Sequence, residues 1–95
     1  MSKDPNGHNH TRATRIASLT SPFAQAVHNI SRLQEAVHAF TAAFGANSVT
    51  VIFSEAGITA TGKQLKAIKR GQTPLPAETL EALSRAATTY AQKHL

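Results

Sequence analysis

The chain has 95 residues, a net charge of +5 and no cysteine, so it has room for one small core and no disulfide or thiolate chemistry. Seventeen residues are alanine and the aromatic stock is four Phe and one Tyr, which favours a small helical bundle over a fold with a deep substrate cavity. No run reaches the roughly 18 apolar residues of a membrane span, and the polar opening MSKDPNGHNH lacks a secretory apolar core. A cytoplasmic protein without membrane contact is expected, and its excess positive charge calls for an acidic partner or serves solubility.

Residues 1–20, with Pro5, Gly7 and only scattered apolar side chains, read as a flexible basic arm. His8 and His10 stand two apart without further metal ligands and read as a polar tail. Arg12 and Arg15 suit phosphates or a minor groove, and equally suit a solvated tail. Ser21-Pro22 is a helix-start signal, and no glycine or proline interrupts 23–44 before Gly45.

In that segment Phe23, Ile30, Val37 and Phe44 recur every seven residues, with Ala26, Leu33 and Phe40 three after the first three. One reading is a continuous 22–44 helix, roughly 33 Å long at 1.5 Å per residue, that pairs with a second copy. Its candidate dimer face is Phe23, Ile30, Leu33, Val37, Phe40 and Phe44. The other reading is a break near Asn29, Ile30 and Ser31, with two shorter helices lining one core.

Ser48 is a candidate cap for VTVIFSEA. By propensity VTVIF is a strand, but no second strand-like run exists to pair with it, so a helix over 48–56 ending at Gly57 is expected. A third helix is expected over 61–70, stopped by Gly71. A fourth follows Pro74-Leu75-Pro76 over 76–95, carrying Leu80, Leu83, Ala87 and Tyr90. The fold expected is all-α, a bundle of four to five helices over 21–95 with a helix-turn-helix within 48–71.

The second helix of that pair, GKQLKAIKR, carries the functional signal. Leu65 and Ile68 would face the core, leaving Lys63, Gln64, Ala67 and Arg70 outward with Lys66 and Lys69 on the flanks. Four of the ten Lys and Arg residues lie in 63–70, and no acid lies between Glu55 and Glu78. Such a one-sign patch suits phosphate, though a helix can also carry cations as a solvated face.

The run AGITATGKQLKAIKRGQTPLPAETLEALSRAA resembles the back half of a phage-repressor-like helix-turn-helix domain, of the xenobiotic-response-element type. The matching features are Ile68-Lys69-Arg70-Gly71, then Thr73-Pro74, then Glu78-Thr79-Leu80 with Leu83, and Gly57 followed by Ile58. Gly57 and Ile68 are about two residues further apart than is common in the family, a lengthening similar to that of an actinobacterial branch. Phe53 stands where the family often has alanine. The resemblance covers 46–88 and implies a DNA-binding transcriptional regulator, most simply a repressor acting as a homodimer on double-stranded DNA.

It implies base contacts from Thr61, Gly62, Lys63, Gln64 and Ala67, with Lys66 nearby. Lys63 is placed to meet guanine and Gln64 adenine. Phosphate contacts are implied at Asn47, Ser48 and Thr50, and after the recognition helix at Lys69, Arg70 and Gln72. No nucleophile elbow, phosphate-cradling glycine loop or paired carboxylates occur, so no enzyme, cofactor, metal or small-molecule substrate is expected. Two rivals remain: a nonspecific protein coating the nucleoid, and a protein-interaction module such as an antitoxin or anti-repressor.

Overall fold

A computed structural model describes residues 5–95 and, from Arg12 onward, their side chains. Pro5 opens helix α1 (Pro5–Gln25), which continues through Pro22. The fixed φ of proline fits a helix, but one backbone hydrogen bond is lost and the ring crowds the carbonyl four residues back. Packing offsets that loss, because Ile16, Thr20, Phe23 and Ala26 are buried along one face at helical spacing.

The expectation of a flexible arm over 1–20 is therefore corrected from Pro5 onward; residues 1–4 lie outside the described residues, as do the side chains of His8 and His10. The helix start expected at Ser21-Pro22 lies instead inside the last turns of α1.

Asn29 ends the first apolar run. Its side-chain oxygen accepts from the Ser31 backbone N–H at 3.2 Å and from the Ser31 hydroxyl at 2.7 Å, which holds a turn before α2 (Arg32–Phe44). The continuous 22–44 helix is thus overturned in favour of two helices lining one core. Gly45 alone separates α2 from α3 (Ala46–Glu55), and no strand forms at VTVIF. The short α4 (Gly62–Lys69) and the long α5 (Ala77–His94) complete an all-α bundle of five helices among the described residues.

Helix α1 packs against α2 and α5, and α3 packs against the same two, so these four helices close a ring around the core. Phe23, Leu33, Phe40, Ile52, Leu80 and Leu83 fill it, with the Phe23 ring meeting Phe40 edge-on at 5.6 Å. The proposed dimer face is this core. Phe23, Leu33 and Phe40 are wholly buried within one chain, and Ile30, Val37 and Phe44 pack partly buried against them. Their seven-residue spacing is satisfied inside one molecule.

Helix α4 stands outside the ring and packs chiefly on α2. Its carboxyl end closes with the Gly71 N–H donating to Ile68 O and the Gln72 N–H donating to Ala67 O, both at 3.0 Å. The last turn of α3 closes in the same way through Gly57 and Ile58. Gly71 also lies against the α1–α2 turn: a Cβ there would sit 2.6 Å from the Ile30 carbonyl oxygen. That contact fixes where α4 ends relative to the ring.

Candidate nucleic-acid interface

Helical spacing sorts the side chains of α4. Ile68 is buried and Leu65 half-buried against the core, as their three-residue spacing predicts. On the opposite side Lys63, Lys66, Ala67 and Arg70 follow at intervals of three and four and form one stripe. Lys63, Lys66 and Arg70 are exposed, and Ala67 lies half-buried between them. Gln64 is exposed on one flank, and Lys69 is half-buried on the other. Thr61 and Gly62 open the helix, both exposed, with Thr61 extended and Gly62 at φ 59°.

The electrostatics of this stripe are one-sided. Among the described residues the salt bridge present is Arg32–Glu35, on α2, at 3.0 Å. Lys63, Lys66, Lys69 and Arg70 therefore have no carboxylate within ion-pair distance among those residues. Lys66 and Lys69, in the last turn, also suit the negative end of the helix dipole, which accounts for part of their placement. Lys63 has no such account. It sits at the positive end, where a cation is unfavourable, and an anion from outside would reverse that penalty.

At the start of α3 the residues expected to meet phosphate divide. Asn47 and Thr50 are exposed. Ser48 is wholly buried, its hydroxyl donating to the Gly45 carbonyl at 2.6 Å and its N–H to the same carbonyl at 3.2 Å. Ser48 therefore cannot contact a ligand and is withdrawn from the set. The cap expected at Ser48 is also displaced, since α3 starts two residues earlier with Gly45 preceding it.

Gln72 is exposed just beyond Gly71. Arg12 is already engaged, donating from Nε to the Leu95 backbone oxygen at 3.1 Å and from Nη2 to the Gln92 carbonyl at 2.7 Å. It serves as a cap on the last turn of α5, in place of the arm contact proposed for it. Arg15 is exposed and makes no hydrogen bond to α5 among the described residues.

Phe53 is buried in the core, where the resembled family places alanine. Helix α4 takes α2 rather than α3 as its principal support. The residues expected to read DNA thus share one surface on α4, whereas those on α3 belong to a separate element. Lys93, exposed in the last turn of α5, belongs to no motif of the sequence.

Comparison with protein-family models, with curated proteins and with solved structures gives no match for this chain. No helix among the described residues is long and apolar enough to cross a membrane, and no group of three metal-ligating side chains occurs among them.

Proposed function

We propose that the chain is a DNA-binding transcriptional regulator that lays the outer stripe of α4 in the major groove of double-stranded DNA. The observation that carries this reading is the set of α4 cations without an acidic partner among the described residues, with Lys63 at the helix end that disfavours a cation. Lys63, Lys66 and Arg70 supply charge for phosphates and base edges around the short Ala67, whose methyl allows close approach to a groove floor or a thymine methyl. Gln64 on the flank supplies the paired donor and acceptor that adenine needs. The ring of four helices then serves as the rigid support that presents this surface.

The test is fluorescence anisotropy on random-sequence duplexes across a salt series, with the bound fraction sequenced. Four phosphate contacts give a slope of log affinity against log salt of about −3.6 or steeper, a loss of roughly 100-fold between 50 and 200 mM. The double variant Lys63→Ala, Lys66→Ala is expected to flatten that slope by about 1.8 while melting at the wild-type temperature. An enriched motif that survives higher salt supports a specific regulator, and two-fold symmetry in it would mean two copies bind together. Binding without enrichment supports the nonspecific rival. No binding at 50 mM overturns the proposal.

A further inference from the structure

The acidic side chains are unevenly distributed along the bundle axis. The antiparallel α1 and α5 are in register so that Arg12 meets Gln92 and Leu95, while Ala24 and His28 line a cleft with Glu81 and Arg85. Three of the four acids among the described residues belong to the half nearer the α1–α2 turn: Glu35 is in the first turn of α2, and Glu78 and Glu81 lie near the start of α5. The fourth, Glu55, ends α3 at the middle of α5, beside Ala82, Arg85 and Thr89. The opposite end carries Arg12, Arg15 and Lys93 and no acid among the described residues.

Arg12 is committed to the α5 carbonyls, but Arg15 and Lys93 are exposed and make no ion pair with those residues. Lys93 stands in the last turn of α5, where the helix dipole welcomes a cation. Arg15 stands in the middle of α1, where no helix end accounts for it. The two are one turn and one residue, respectively, from groups joined by the Arg12 hydrogen bonds, so they share this end of the molecule.

Phe44 packs on Tyr90 and His94 with ring centroids 5.5 and 6.5 Å away, and α3 therefore begins at the same end with its exposed Asn47. The α4 stripe finishes at the other end, where Gly71 touches Ile30. From Arg12 to Gln25 the axis of α1 alone covers roughly 20 Å at 1.5 Å per residue.

We infer that Arg15 and Lys93 form a second phosphate-backbone contact at the end of the bundle that bears no acid among the described residues, so that the protein grips DNA at two separated places. The inference rests on α4 binding DNA, as proposed above. Both residues lie outside the segment that resembles repressor domains, so this contact belongs to the features particular to this chain.

The test uses the full chain and a mixed-sequence duplex of about 30 base pairs, long enough to pass both zones. Log affinity is measured against log salt for wild type, for Arg15→Ala, Lys93→Ala together, and for Arg85→Ala as a control cation in the acidic half. Circular dichroism and melting temperature verify that each variant is folded.

The double variant is expected to flatten the slope by about 1.8, so that its affinity deficit shrinks roughly tenfold between 50 and 200 mM salt. Arg85→Ala is expected to keep the wild-type slope. An unchanged slope in the double variant overturns the second contact while leaving the α4 reading intact. Equal flattening in Arg85→Ala overturns it too, because any cation would then act alike. A wild-type protein that fails to bind the duplex removes both readings together.

Discussion

Helices α2 and α4 pack against each other and are both amphipathic, yet they use that character oppositely. α2 sinks Leu33, Ala36 and Phe40 completely into the core, whereas α4 buries only Ile68 and turns its cations outward. The ring to which α2 belongs carries the stability, and the helix mounted on it carries the charge. Substitutions in the two should therefore separate cleanly, those in the ring changing folding and those on the outer stripe changing binding.

The sharpest break of that contrast is Phe40→Ala. Its ring meets Phe23, Phe44 and Tyr90, with centroids 4.7 to 5.7 Å away, so truncation leaves a cavity where three helices converge. A loss of about 3–5 kcal/mol is expected in chemical denaturation, enough to unfold much of a domain this small.

Gly71→Ala tests the joint between the two regions and comes next. The added methyl must clear the Ile30 carbonyl from 2.6 Å while the residue keeps φ 72°, and the expected cost is about 2–4 kcal/mol. Gly57→Ala sharpens the comparison. Gly57 ends α3 with the same pair of hydrogen bonds and a similar φ of 82° but has open space around it, so about 1 kcal/mol is expected. Equal losses for the two glycines would show that the contact with the α1–α2 turn contributes nothing.

The smallest effect is expected at Arg12→Ala. Two charge-assisted hydrogen bonds to the end of α5 disappear, but at an exposed site where water takes their place, so the loss in denaturation is about 0.5–1 kcal/mol. Hydrogen exchange should place that loss in the last turn of α5.

These elements also mark what a sequence can disclose. The stops at Gly45, Gly57 and Gly71 were legible because they are local: a helix ends where glycine closes its last turn. Helix α1 was not legible, since its apolar face is sparse, a proline sits inside it, and its support comes from α5, some eighty residues away along the chain. The heptad spacing of 23–44 announced burial but not the burying surface, and a break held by Asn29 folded it into one core.

Within the candidate site, the outward cations of α4 could be placed from helical periodicity alone. Ser48 could not, because a serine near a helix start can face solvent or, as here, turn inward to a carbonyl. Lys93 gained significance only once the acids of α2 and α5 were mapped to the other half of the bundle.

The contact between Gly71 and Ile30 has a mechanical consequence. It pins one end of α4 to the ring, while the other end is reached through residues 56–61, which form no helix. Ala56, Ile58 and Ala60 of that connection pack on the core, so both ends of the helix are held and the spacing between Lys63 and Arg70 is set before any ligand arrives.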